Sequence, residues 1–144
     1  MAVLNEPRTV PIHFLPPAAA RTGNERAVLA EIRSHLAALA ERGTTAAVDL
    51  LALPLSEADR AWLREALGRG EVRAEVDAAG VSEVLETGIA GVWWVTHRNA
   101  DGQTVAELIE ITLLPDILRA SAADAAQAGE RLERILAESA SDPS

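Results

Sequence analysis

The chain has 144 residues, enough for one domain with its own core, since a domain of this size hides roughly two-thirds of the surface its unfolded chain exposes. It contains no cysteine, which removes disulfides, thiolate zinc sites, thiolate-held iron–sulfur clusters and a cysteine nucleophile. The 22 acidic residues against 13 basic ones, all arginine, leave a net charge of -9, which opposes attraction to phosphate backbones and anionic lipid, so neither nucleic acid nor membrane is expected as a partner.

No stretch approaches the ~18 apolar residues that span a bilayer, and no basic segment leads into an apolar one at the N-terminus, so a cytoplasmic location is the expectation. Residues 1–23 carry Pro7, Pro11, Pro16 and Pro17 around one apolar piece, residues 9–15, and read as an extended arm or edge strand. His13 within it reads as an ordinary surface residue. From Asn24, a capping residue, Val28, Leu29, Ile32, Leu36, Leu39 and Ala40 make one helical stripe that Gly43 ends. A short strand over residues 45–51 follows. Pro54 breaks the chain, and Ser56 with Asp59 three positions on announces a second helix to about Leu67, with Trp62, Leu63, Ala66 and Leu67 inward and Gly68 as its stop.

Four antiparallel strands are expected next. Residues 71–77 alternate Val72, Ala74 and Val76 with charges, and Ala78, Ala79 and Gly80 turn the chain into residues 81–86. Residues 86–97 read as the central strand, costly at Gly88 and Gly91 unless a bulge or a close neighbour requires the missing side chain. Asp101-Gly102 marks a hairpin into residues 104–112, whose Val105, Ile109 and Ile111 share a face. Leu113, Leu114 and Pro115 end the sheet. Ser121 and Asp124 open a last helix striped by Ala125, Ala128, Leu132, Ile135 and Leu136. The resulting fold class is α+β, an antiparallel sheet of four to five strands with about three helices mainly on one face. The expected organisation is an arm over residues 1–23, one domain over 24–138 and a frayed tail over 139–144.

Chemistry is thinly signalled. Gly68 and Gly70 end a helix and so make no phosphate loop, and no cofactor is expected. His97 has only Ser82, Thr87 and Thr96 as hydroxyl neighbours by position, which does not support a nucleophile triad. Glu86, His97, Glu107 and Glu110 are the one constellation that strand pairing could assemble as a general base or metal ligands, although Glu107 and Glu110 fall on opposite strand faces and read better as solvated carboxylates. Trp93 and Trp94 are adjacent on a strand and must point to opposite sides of it. Trp93, beside Val95, is expected in the core; Trp94, with Val92, Ala90, Thr96 and Glu86, is the expected partner-binding face. Heteropartner, self-association and internal cover all stay open for it.

The run Glu86-Thr87-Gly88-Ile89-Ala90-Gly91-Val92-Trp93-Trp94-Val95, followed by His97-Arg98-Asn99-Ala100-Asp101-Gly102, Ile109-Glu110-Ile111 and Leu114-Pro115-Asp116-Ile117-Leu118, resembles the [NiFe]-hydrogenase expression/formation proteins of the HupH/HyaF type. Asp49-Leu50-Leu51-Ala52-Leu53-Pro54-Leu55 and Leu67-Gly68-Arg69-Gly70-Glu71-Val72 resemble segments upstream in that family, so the likeness runs from Ala46 to Ile135. Gly88 and Ile89 stand where the family has a small residue and an aromatic, and Trp94 where a polar or basic residue is usual. The resemblance implies a non-enzymatic, chaperone-like factor in hydrogenase maturation. Its expected client is the small, iron–sulfur-carrying subunit or another maturation protein, with no catalytic residue carried over, and a homodimer is a further possible assembly.

Overall fold

The computed structural model describes residues 20–141, so the expected strand at 9–15 and His13 lie outside the described residues. The chain divides into two compact units, one through Leu113 and one from Leu114 onward.

In the first unit, α1 spans Asn24–Arg42 and α2 spans Glu57–Leu67. Five strands follow the order β1-β5-β4-β3-β2, all antiparallel: β1 Ala46–Asp49, β2 Arg73–Asp77, β3 Val81–Glu86, β4 Val92–Arg98 and β5 Thr104–Ile111. This is the expected α+β class. Asn24 is not the cap of α1; Gly23, in the left-handed region, precedes the helix, and Asn24 turns its amide to the Pro54 carbonyl at 2.8 Å. Gly43 closes the helix as expected, its φ of 69° being one that side-chain-bearing residues resist. The α1 stripe puts Val28, Ile32 and Leu39 in the core, where Leu63 and Leu67 of α2 meet Val48, Val92, Trp94, Ile109 and Ile111 of the sheet.

Two sequence expectations change here. The strand read over residues 45–51 stops at Asp49, whose carboxylate accepts from the Leu51 and Ala52 amides and starts a one-turn 3-10 helix over Leu50–Ala52. The expected strand over 86–97 is in fact a turn followed by β4. Thr87 N–H donates to the Val92 carbonyl, Thr87 Oγ1 lies 2.8 Å from the same oxygen, and Gly91 has φ +84°. A Cβ on Gly91 would sit 3.3 Å from the Leu36 and Leu39 methyls, so the glycine answers both the turn and the approach of α1.

The second unit contains a 3-10 turn at Asp116–Leu118 and α3, Ala122–Ala140. Ser121 and Asp124 cap α3 reciprocally, as the sequence predicts, and no residue of the helix is buried. Among the described residues no helix is long and apolar enough to cross a membrane.

Candidate interaction site

Strand register decides which residues can meet. Trp94 pairs with Ile109 and Thr96 with Glu107, so Val92, Trp94, Thr96, Glu107, Ile109 and Ile111 share the face that α1 and α2 cover. Trp94 is 3% exposed. The guanidinium of Arg64, from α2, lies 4.4 Å over its ring, and its Nε1–H reaches Glu107 Oε2 at 3.3 Å. Arg64 donates to the same oxygen at 3.2 Å, and Arg60 lies 3.8 Å from the other. A buried carboxylate is thus held by two cations and an indole, and Arg64 also contributes a cation–π contact worth about 0.5–2 kcal/mol depending on how dry the stack is.

Trp93 turns to the other face with Val95 and Val84. It is 4% exposed, and its Nε1–H donates to the Thr112 carbonyl at 3.1 Å. The two indoles do point to opposite sides, but neither is free. The expected partner-binding face of Trp94, Val92, Ala90, Thr96 and Glu86 is therefore corrected. Trp94, Val92 and Thr96 are interior because the helices pack on their side of the sheet, and only Ala90, in the turn, is exposed. The second face is likewise buried at its centre, at Trp93, Val84 and Val95.

Glu86 has a structural task. Its carboxylate accepts from the amides of Glu71 at 2.8 Å and Val72 at 3.3 Å, and its carbonyl accepts from Gly70, which pins the lead-in of β2 to the end of β3. A Cβ on Gly88 would lie 3.0 Å from the Leu67 carbonyl, so the end of α2 also presses on this turn.

The proposed union of Glu86, His97 and Glu107 does not form. His97 pairs with Ala106 and so faces away from Glu107; it meets Ser82 Oγ at 2.8 Å through Nδ1. Among the described residues no group of three or more histidines or carboxylates could hold a metal ion. The Ser82–His97 pair alone supplies a hydrogen bond and no assembled triad.

What remains accessible near Trp94 is a groove beyond α2, where the helix-side face carries Leu85, Glu83 and Arg73. Two adjoining clefts of about 100 and 220 Å³ share Arg64, Arg69, Leu85 and Glu86, with Trp94 at one end and Arg73 at the other. Arg73 pairs with Glu83 at 3.0 Å. Three arginines against two glutamates line the groove, a local reversal of sign in a chain of net charge -9. Sequence reasoning missed this cluster. The available signal was Arg60 and Arg64, one turn apart on α2, facing the inward slot that strand alternation gives Glu107.

A second polar centre ties the first unit together. Asp59, fully buried, accepts from Thr22 N at 2.8 Å, Thr22 Oγ1 at 2.6 Å and Ser56 N at 2.9 Å. Burial opposes its charge, but the bonds from Thr22 and Ser56 outweigh that and hold its carboxyl well below the usual carboxylate range. Glu25 beside it is also buried and takes Arg21 at 2.6 Å and the Gly23 amide at 2.9 Å.

The described fold is an α+β unit with buried polar clamps and an arginine-rimmed groove. The profile described as HupH hydrogenase expression protein, C-terminal conserved region, matches residues 22–139, and the chain belongs to this family. It is 32% identical over 114 residues to the hydrogenase expression/formation protein HoxQ of Azotobacter vinelandii, a match covering 78% of this chain and 40% of that protein. It is 30% identical over 88 residues to the hydrogenase-1 operon protein HyaF of Escherichia coli K12, covering 61% and 31%. The solved structure of hydrogenase expression protein HupH from Thiobacillus denitrificans superposes with a TM-score of 0.79 at 41% identity, covering 83% of this chain and 99% of that one. The chain spans about two-fifths of the length of HoxQ of Azotobacter vinelandii and of HupH of Rhizobium leguminosarum, both of which it matches.

Proposed function

We propose that this chain is a non-enzymatic accessory factor in [NiFe]-hydrogenase maturation that binds a hydrogenase subunit or another maturation protein. The observation that carries the reading is the family match over residues 22–139, shared with relatives named as hydrogenase expression/formation proteins. The contact surface in this reading is the groove of Arg64, Arg69, Leu85 and Arg73, in place of the buried Trp94 face. Its chemistry suits a carboxylate-bearing segment, because guanidinium groups pair with carboxylates through two parallel hydrogen bonds. Among the groove arginines, Arg69 is the one to change, since Arg64 and Arg73 already hold Glu107 and Glu83.

The test is affinity capture of the tagged chain from cells making a [NiFe] hydrogenase, with deletion of its gene scored by hydrogenase activity. Recovery of hydrogenase or maturation components, reduced roughly tenfold by Arg69→Glu, is the expected result. Normal hydrogenase activity in the deletion strain would sink the function; undiminished capture by the Arg69 variant would sink the groove.

A further inference from the structure

Among the described residues of the second unit, nothing covers the apolar stripe of α3: Leu132, Ile135 and Leu136 are 59%, 47% and 67% exposed, and the unit's one other described element is a one-turn helix. Most of a helix's stability in a protein comes from packing its amphipathic face, so a helix within the family's matched region gains stability from whatever buries that stripe. Ala125, Ala128, Leu132, Ile135 and Ser139 follow the three-four spacing of a helix-pairing seam, with Gly129 and Leu136 on one flank and Arg131 and Glu138 on the other.

We infer that the occupant is a second copy of this chain, with the two α3 helices paired antiparallel about a two-fold axis. Setting Leu132 of one copy opposite Ile135 of the other does three things at once. It builds two large apolar layers. It lays each Leu136 over the other copy's Gly129, large against absent side chain. It brings each Arg131 beside the other copy's Glu138. The last turn of α3 has no basic residue of its own, so the incoming arginine also meets the negative end of the helix dipole.

Charge rejects the alternatives. Sliding the pair by one heptad sets Arg131 against Arg131 and Asp124 against Glu138. A parallel pair leaves Arg131 facing Leu136. The interface is isologous, so it closes as a dimer instead of growing.

The absence of cysteine allows a clean test in the full chain. Sedimentation equilibrium is expected to give a mass close to twice 15.2 kDa, falling to the monomer value in Leu132→Asp. Tryptophan fluorescence of the first unit stays unchanged in that variant, because Leu132 is already exposed. Arg131→Glu weakens self-association about tenfold, and adding Glu138→Arg restores it. The double variant Arg131→Cys with Glu138→Cys cross-links on oxidation. Neither single variant does, since seven residues separate the positions by roughly 10 Å along the axis. A monomer at every concentration, a dimer indifferent to Leu132→Asp, or cross-linking by one cysteine alone would each overturn the pairing and give the stripe to another occupant. None of these measurements involves a hydrogenase component, so their failure and that of the maturation role are separable.

Discussion

Two helices of this protein begin with the same four-residue device, and the device does different work in each. Ser56 and Asp59 cap α2 reciprocally, as Ser121 and Asp124 cap α3. At α2 the same carboxylate also takes the amide and hydroxyl of Thr22, thirty-seven positions away in sequence, and Ser56 Oγ donates to the Ala20 carbonyl at 2.7 Å. At α3 the box touches only its own turn and stands in water. A local motif thus announces a helix start in both places, but only tertiary surroundings turn it into a clamp. All three tryptophans lie in the first unit, so fluorescence reports the clamp while far-ultraviolet circular dichroism also registers α3.

The comparison breaks most visibly at Asp59. Asp59→Ala strands the buried Ser56 amide and frees both Thr22 donors, and is expected to cost about 2–3 kcal/mol, read as an earlier urea midpoint by fluorescence. Ser56→Ala removes one cap acceptor and the bond to Ala20, for about 1–2 kcal/mol by the same measurement. Acid sharpens the contrast. The carboxyl of Asp59 is held below its unfolded value of about 3.9, so its contribution is complete above that pH and disappears as the pH falls toward the folded value. The fluorescence midpoint should therefore drop less steeply between pH 5 and pH 3 in Asp59→Ala than in the parent chain. The smallest effect belongs to Ser121→Ala, which should trim helicity slightly and leave the fluorescence midpoint where it was. A midpoint shift in that variant would mean the second cap is not the isolated device described here.

Much of the first unit was legible from residue order. Gly43 and Gly68 end their helices, Asp101-Gly102 turns the last hairpin, and the adjacency of Trp93 and Trp94 does split them across the sheet. Alternation gives parity without saying which parity faces the helices, so the expected outward Trp94 lies instead under Arg64 and the α1–α2 layer. The turn over residues 87–91 was hidden inside a β-branched run whose only warnings were Gly88 and Gly91. The groove was less legible still, because Arg69, Arg73 and Leu85 come from separate segments that only the β2–β3 pairing unites. The clamp on Asp59 was invisible for the same reason: Thr22 and Asp59 meet only after α1 has settled against α2.

The strand order has a consequence for synthesis. Strands β2 to β5 form a meander whose neighbours are consecutive in sequence, whereas among the described residues β1 pairs solely with β5. On a translating ribosome α1 and β1 emerge ahead of the meander and then wait, their apolar faces unshielded, until the codons through Ile111 have been read and β5 can zip alongside. The interval in which a nascent chain is most exposed to wrong company is therefore written into the far edge of its sheet.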